Sequence, residues 1–416
     1  MTTFRAAFVA SICLSVIVLA VPAHAVSGGL DSSFDGDGIY TWGLANPAEE
    51  GASGVAVDPS TGDLVVGNAN YPSNMAVTLL KPSGGVDTAF GGGTAQFADG
   101  KTRITNAVTA QADGKILVTG NAGSSGQHVF LGRYRPNGNP DGSFGDAGLA
   151  EATVCGTTAY ETDVFVRSDG SIAVVGDCGN GSTKDKLFVV VFRPGGGLDG
   201  SFSADGMYQL AVGDDFWLGG ATLDDHDRLT IVGRSRVGSG FERATAIRLT
   251  AGGALDTSYS SDGRAFFDFA SGDDDARAVI PHGKGVLIAE KAVFSPPDSD
   301  ILLFAVTAHG KLDTGFSGDG KSRIDLASTD DPVDAVADAG GRIYLAATYT
   351  YGTAEATVIR LKANGALDTT FAGAGYAHTG TTSAGESVTM WKAKPTIAGF
   401  ADLTTDFDDL VARFLA

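Results

Sequence analysis

The motif Leu30-Asp31-Ser32-Ser33-Phe34 occurs, with small changes, seven times in this chain of 416 residues. Every later copy keeps the Asp and ends in Phe or Tyr. The later copies are Val86–Phe90, Pro140–Phe144, Leu198–Phe202, Leu255–Tyr259, Leu312–Phe316 and Leu367–Phe371. Successive Asp positions lie 56, 54, 58, 57, 57 and 55 residues apart. A period this steady indicates a solenoid, a propeller or another repeat array.

Each repeat contains four short strand candidates. In the second repeat they are Asn106–Gln111, Lys115–Gly120, Val129–Arg135 and Gly148–Thr153. The second of these is apolar almost throughout, as for a strand buried on both faces. Its equivalents in the other repeats are Leu64–Val66, Ile172–Val175, Leu229–Val232, Val286–Ala289, Ile343–Ala346 and Thr396–Ala398. A β-helix needs a much shorter repeat, whereas four strands repeated radially are the pattern of a propeller blade.

The two ends of the chain predict how the ring closes. Gly38–Trp42 is a fourth-strand candidate that precedes every first strand. The last set of candidates has no fourth strand and consists of Ser387–Lys392, Thr396–Gly399 and Leu410–Leu415. Pairing the N-terminal strand with this last set removes an exposed sheet edge. We therefore predict an all-β fold, a seven-bladed β-propeller of four-stranded antiparallel blades whose last blade is closed by the N-terminal strand.

The repeated motif also has a local explanation. Its Asp can accept hydrogen bonds from backbone N–H groups two or three residues further on, and the Ser or Thr reinforces that turn. The Phe or Tyr is expected to pack as a bulky apolar anchor between sheets.

These elements resemble the delta-60 repeat family of bacterial proteins. The resemblance rests on the L-D-x-S-F-G-x-x-G pattern and on the strand Asp113–Gly120, and it extends over essentially all of residues 28–416. Two repeats depart from it, with Asp227-Arg228 in place of Asp-Gly and with Tyr259 in place of Phe. The resemblance implies a propeller without a settled biochemical activity.

The N-terminus indicates export. Arg5 precedes an apolar run that ends at Val21, and Ala23-His24-Ala25 supplies a signal-peptidase site. The run is short for a membrane span, although an uncleaved anchor is the alternative. We predict a signal peptide over residues 1–25 and a single propeller over residues 26–416, with seven repeats of about 56 residues. The expected location is secreted or periplasmic, with no membrane span after cleavage.

The charge of the chain limits its partners. The formal net charge is −20, and removal of residues 1–25 removes one Arg and no acid. No cluster of Lys and Arg is visible, so nucleic acid and anionic lipid are not expected partners. Cations, basic proteins and neutral glycans remain open, and we expect a monomer with a protein or glycan partner.

Two cysteines, Cys155 and Cys178, follow the predicted signal peptide. They flank the first two strands of the third repeat, at the same end of an antiparallel pair. In an oxidising compartment we predict a disulfide between them, which would stabilise the fold by about 3 kcal/mol through the unfolded state. The alternative is two unpaired thiols.

Acidic residues precede or enter the first strand of most repeats. They are Glu49, Glu50, Glu161, Asp163, Asp214, Asp215, Asp273, Asp274, Asp275, Asp330, Asp331, Asp334 and Glu386. The second repeat is the exception, with Asn106. First strands ring the channel of a propeller, so these acids are expected around one channel mouth, where they would concentrate cations. Candidate ligands of a metal, with Ca²⁺ the best match to oxygen donors, are Asp273, Asp274, Asp275, Asp331, Glu161 and Asp215. The alternative is a set of solvated acids in an acidic protein.

No catalytic motif accompanies these acids. There is no G-x-S-x-G elbow, and His226 and His282 occupy turns between first and second strands without metal-ligand spacing. Two functions follow as hypotheses. The first is an extracytoplasmic binding or scaffold module that uses an acidic, cation-binding channel mouth. The second is a propeller-type enzyme, a hydrolase or lyase, with a carboxylate or Ca²⁺-dependent site in the channel. A third, weaker option is a structural surface protein. A deep channel with converging Asp, Glu and His would favour the enzyme, and a channel plugged by side chains would favour the scaffold.

Overall fold

The computed structural model describes residues 27–43, 51–68, 75–97, 101, 103–121, 128–154, 158–179, 184–269, 272–295, 298–326, 329–351, 353–402 and 407–416. Within these ranges the chain forms seven four-stranded antiparallel sheets, arranged as the seven blades of a β-propeller. We number the blades by the order of their innermost strands. The prediction of fold class and blade composition is confirmed.

The first four blades use strands that follow one another in sequence. Blade 1 consists of β2 (Ala52–Val57), β3 (Leu64–Asn68), β4 (Ala76–Leu80) and β5 (Thr94–Ala95). Blade 2 consists of β6 (Ile104–Ala110), β7 (Ile116–Asn121), β8 (His128–Tyr134) and β9 (Leu149–Thr153). Blade 3 consists of β10 (Thr158–Val166), β11 (Ile172–Gly179), β12 (Lys184–Phe192) and β13 (Met207–Ala211). Blade 4 consists of β14 (Asp215–Leu223), β15 (Leu229–Arg236), β16 (Arg243–Leu249) and β17 (Arg264–Phe267).

The next two blades follow the same order, and the last does not. Blade 5 consists of β18 (Asp274–His282), β19 (Gly285–Ser295), β20 (Asp298–Val306) and β21 (Lys321–Ile324). Blade 6 consists of β22 (Thr329–Ala337), β23 (Ile343–Tyr351), β24 (Thr353–Leu361) and β25 (Tyr376–His378). Blade 7 consists of β26 (Ser383–Trp391), β27 (Lys394–Asp402), β28 (Phe407–Arg413) and the N-terminal β1 (Ile39–Trp42).

The N-terminal strand therefore closes the ring, as predicted. In the pairing of β1 with β28, Ile39 lies opposite Ala412. Backbone hydrogen bonds continue the contact, with Gly28 N donating to Leu415 O at 2.6 Å. The motif carboxylate of Asp31 then accepts from Arg413 Nε at 2.7 Å. Closure thus joins both ends of the chain through backbone pairing and a buried ion pair.

The second strands begin near their predicted positions and run further than predicted. β19, for example, ends at Ser295 rather than at Ala289. Their apolar residues pack between blades, as where Val174 of β11 lies in a cluster with Leu131 of blade 2. The extra residues remain buried in β11 but include Gly176 and Asp177, which interrupt the apolar run, so the hydrophobic pattern alone could not reveal them.

The repeated motif makes the predicted turn. Asp31 Oδ1 accepts from Ser33 N at 3.2 Å and from Ser33 Oγ at 2.6 Å. The seven aromatic anchors of the motif are all buried, with exposures of 5% or less. The structure adds an Arg from the third strand in four blades. In blade 2, Arg133 pairs with Asp141 at 2.9 Å and lies over the Phe144 ring at 4.5 Å.

Every innermost strand contains a β-bulge at the same position. The extra residues are Ser53, Asn106, Thr162, Gly219, Arg277, Val333 and Glu386. Beside the bulge, the second strand of four blades carries Gly where the repeat reads V-x-G or its equivalent. A Cβ on Gly233 would lie 2.1 Å from Trp217 O, and one on Gly120 would lie 2.3 Å from Ile104 O. The bulge thus explains the glycine of the repeated strand.

No helix among the described residues has the length and apolar character that crossing a membrane requires.

Candidate functional site

The innermost strands of all seven blades surround a central channel with a cavity of about 850 Å³. We call the end at which innermost strands begin the mouth face, and the opposite end, which holds the repeated motif, the motif face. The described bulge residues line this channel, including Asn106, Arg277 and Glu386. Because a bulge re-aims side chains relative to a regular strand, this ring of bulges determines which chemistry faces the cavity.

Two aspartates of the channel wall join neighbouring blades. Asp163 follows the bulge of blade 3, and its Oδ2 accepts from Ala221 N of blade 4 at 2.8 Å. Asp334 occupies the same position in blade 6, and its Oδ2 accepts from Val388 N of blade 7 at 2.8 Å and from Ser387 Oγ at 3.0 Å. Each carboxylate therefore lines the cavity and links two innermost strands.

The channel shifts the protonation of its acids. Burial, with the negative charge of Asp334 in addition, raises the pKa of Asp163 to about 7. Burial also raises the pKa of Asp334, against the hydrogen bonds that it accepts. The pKa of Glu386 is raised by burial and by Asp331, while Arg277 opposes the rise. Carboxyl groups that are hard to ionise therefore meet in one cavity.

Three of the predicted metal ligands lie on the mouth face in ion pairs. Asp275 Oδ2 contacts Arg277 Nε at 2.8 Å and Arg234 Nη1 at 3.0 Å. The other two pairs are Asp331 with Lys291 at 3.1 Å and Asp215 with Arg236 at 3.2 Å. Arginine and lysine side chains of the protein itself therefore offset the negative charge of these three aspartates at the predicted acidic mouth.

The three consecutive aspartates point in different directions. Asp273 is exposed and accepts from Glu242 N at 2.8 Å. Asp274 is fully buried and accepts from Phe269 N at 2.7 Å. Successive side chains of a strand alternate between its faces, so Asp273, Asp274 and Asp275 are not presented as one chelating set. Metal binding by these residues stays a prediction.

Several predictions concern residues outside the described ranges. The side chain of Glu161, the residues Glu49 and Glu50, and the predicted signal peptide lie outside the described residues. Cys155 also lies outside them, whereas Cys178 is buried in β11 with an exposure of 1%. The disulfide therefore stays a prediction.

Two other groups of Asp and His side chains bring ligand atoms within 4.8 Å of one another. Asp224, Asp225 and His226 lie in the turn between β14 and β15 on the motif face, where Asp224 Oδ1 accepts from His226 N at 2.9 Å. Asp300, Asp325 and Asp330 form the second group, between blades 5 and 6. The second group combines residues from three segments and could not be read from sequence spacing.

The sequence interpretation missed the basic partners of the mouth. Arg234, Arg236 and Lys291 come from second strands and meet acids that lie tens of residues away. Arg277 had a visible signal, since it follows Asp275 by two residues and both side chains then share a strand face. Trp217 adds an aromatic surface beside them, with Arg234 lying 5.0 Å from its ring.

A family model described as a domain of unknown function (DUF5122) beta-propeller matches residues 111–144 and 341–371. These segments run from the second strand to the motif aromatic in blades 2 and 6. The match supports a propeller repeat family, and the narrower likeness to delta-60 repeats stays a resemblance. No curated protein matches the chain.

Comparison with solved structures shows likeness in fold. Semaphorin 2a of Drosophila is 8% identical with a TM-score of 0.53, covering 94% of this chain and 76% of its own. The Cps50 (Swd1) propeller domain of Myceliophteria thermophila is 10% identical with a TM-score of 0.49, over 89% of this chain and 99% of its own. A gluconolactonase from Xanthomonas campestris is 14% identical with a TM-score of 0.38, over 77% and 94%. The semaphorin likeness supports the fold alone, and the other two carry no argument.

Proposed function

We propose that the chain is an extracytoplasmic binding module whose ligand site is the central channel, reached from the mouth face. The observation that carries this proposal is the cavity of about 850 Å³ in which Asp163, Asp334 and Glu386 meet. A cation that enters this concave space favours the ionised form of these carboxyl groups, because an opposite charge nearby lowers the pKa that burial has raised. The predicted signal peptide supports the location, and the net charge of −20 agrees with a cationic ligand.

The lining of the channel favours an organic cation over a bare metal ion. Among the described residues, the channel acids are absent from the groups whose ligand atoms lie within 4.8 Å of one another. The wall between them includes Val55, Val279 and Phe400. Separated carboxylates with apolar surface between them match an extended ligand, such as a lysine side chain of a protein partner or an amino group on a glycan. Ca²⁺ is the competing ligand.

Calorimetric titration with two probes, a tetralysine peptide and CaCl₂, tests this proposal. We expect wild-type protein to bind tetralysine, and the double variant Asp163→Asn, Asp334→Asn to bind it at least tenfold more weakly. Asn keeps an oxygen that accepts the interblade hydrogen bonds, so the variant removes charge with little change of shape. Asp225→Asn is the control, since that side chain is 87% exposed on the motif face. Equal affinity in all three proteins would reject the channel as the site.

A hydrolase or lyase is the second candidate, and the pKa of Asp163 favours it. A carboxyl group with a pKa of about 7 can give or take a proton at neutral pH. Turnover of chromogenic esters or glycosides that peaks near this pH and disappears in Asp163→Asn would support an enzyme. If the wild type binds tetralysine but turns over none of these substrates, the enzyme is rejected and the binding module stands.

A further inference from the structure

Glu290 is an exception among the second strands. It lies in β19 opposite Ala276, beside the bulge, at the position that Gly occupies in four blades. The side chain is 0% exposed, and both of its carboxylate oxygens lack a hydrogen-bond partner. In blade 1 the same position holds Asn68, which is also buried but donates to Asp409 at 2.8 Å and accepts from Thr78 at 2.9 Å. Glu290 has no such arrangement.

The charged groups that act on Glu290 are acidic. Burial and the charges of Asp274, Asp275 and Asp268, in that order, raise its pKa well above the usual value. The charge of Asp275 is already held by Arg277 and Arg234. The other two acids are Asp268, in the segment that follows β17 of blade 4, and Asp274, at the start of β18. An unpaired carboxylate in such a place is costly unless a cation or a proton joins it.

We propose that Glu290, Asp274 and Asp268 bind a Ca²⁺ ion at the interface between blades 4 and 5, apart from the channel. Three carboxylates from three segments supply the hard oxygen donors that Ca²⁺ prefers, and its six to eight ligands leave room for backbone carbonyls and water. Phe269 N already holds Asp274 Oδ2 at 2.7 Å and fixes that ligand in place. Asp268 is exposed and gives the ion a route from solvent.

The interface between blades 5 and 6 shares two of these three acidic positions, and its third acid comes from the third strand of blade 5 instead of from a second strand. Asp325 precedes Leu326 as Asp268 precedes Phe269. Asp330 Oδ2 accepts from Leu326 N at 2.8 Å, in the same way that Asp274 accepts from Phe269 N. There a third carboxylate, from Asp300, brings all three groups within 4.8 Å. This segment of the repeat can therefore gather three acids around one point. In the blade 4–5 group, Glu290 and Asp268 must turn about their side-chain bonds to reach that spacing.

Thermal unfolding of the purified protein, in EDTA and in millimolar CaCl₂, tests the assignment together with the calcium stoichiometry from calorimetry. We expect Ca²⁺ to raise the midpoint of the wild type by about 3 °C, since an ion that binds only the folded state stabilises it by mass action. In Glu290→Gln this rise should be lost with one bound Ca²⁺ fewer, and the midpoint in EDTA should exceed that of the wild type.

Three further variants keep the test decisive. Asp268→Asn changes an exposed side chain, so it should fold normally and still lose most of the rise. Asp325→Asn and the channel variant Asp163→Asn, Asp334→Asn should both retain it. A rise that survives in Glu290→Gln and Asp268→Asn, or that disappears only in Asp325→Asn, overturns the assignment. No rise in the wild type also overturns it, and Glu290 is then held as the neutral acid. Failure of tetralysine to bind the channel has no bearing on this result.

Discussion

Single carboxylates in this protein are used in two opposite ways. In four blades the motif aspartate is paired with an arginine of the third strand and with turn N–H groups, and the pKa of Asp31 falls to about 2 even though burial opposes the shift. Asp163, in the channel wall, accepts one described backbone hydrogen bond and faces Asp334, so its pKa rises to about 7. The first kind stabilises the ionised fold, whereas the second is ionised at the expense of stability.

This contrast predicts a pH dependence for Asp163. Its folded pKa of about 7 lies above the ordinary aspartate value of 3.8, so between about pH 4 and pH 7 the folded state keeps a proton that the unfolded chain has lost. Its contribution to stability therefore falls over this window. In urea unfolding, the free energy of unfolding of Asp163→Asn relative to that of the wild type should rise by on the order of 2 kcal/mol between pH 4 and pH 8. A difference that does not change with pH would contradict the assigned pKa.

At the scale of strands, the regular part of each blade could be predicted from the sequence. The apolar runs and Gly turns located the second strands to within a residue or two at their start, because their side chains fill the space between blades. The bulges could not be predicted, because a bulge is a property of pairing register and leaves no hydrophobic pattern. The sequence feature that accompanies the bulges is the glycine at the end of Lys115–Gly120 and at equivalent positions. In the sequence this glycine is only part of a family pattern, and its geometric reason is visible only in the fold.

The bulge predicts which glycines tolerate a side chain. In Gly233→Ala the new Cβ would lie 2.1 Å from Trp217 O, against backbone that cannot move without breaking the strand pair. We expect this variant to lose about 3 kcal/mol of unfolding free energy. Gly142→Ala is the matched control, since a Cβ there meets no heavy atom within 4 Å, and it should change stability by less than about 0.5 kcal/mol. Equal denaturation midpoints for the two variants would contradict the role of the bulge.

The candidate site was predictable only in part for a related reason. The acids could be found because they recur at one place in the repeat. Their partners could not, because Arg234 and Lys291 reach Asp275 and Asp331 from strands that only the folded ring brings together. Glu290 was missed although it replaces a recurrent glycine, and a departure from the repeat at a buried position was the signal that could have exposed it.

At the scale of the whole molecule, stability depends on a ring closed by its two termini. Leu415 N donates to Gly29 O at 2.8 Å, and β1 pairs with β28 along four residues. Without this contact, β28 would be an unpaired sheet edge, and such edges invite association. The closure also brings Lys394 to Asp31 at 2.7 Å, beside Arg413.

Removal of residues 27–42 should therefore open the ring. We expect this variant to unfold at lower temperature and to form oligomers in analytical ultracentrifugation. The control is a circular permutant that joins Ala416 to Ser27 by a short linker and opens the exposed turn between Gly283 and Lys284. It contains every strand and should stay monomeric with a nearly unchanged midpoint. Two equally stable monomers would show that closure by β1 is dispensable.

The measurement that bears most directly on the function proposed for the channel is a crystal structure of the protein grown with tetralysine peptide. We predict electron density for a lysine side chain inside the channel, with its ammonium group within hydrogen-bonding distance of Asp163 or Asp334. Density confined to the outer surface of the blades, with the channel holding only water, would contradict the proposal that this protein binds its ligand there.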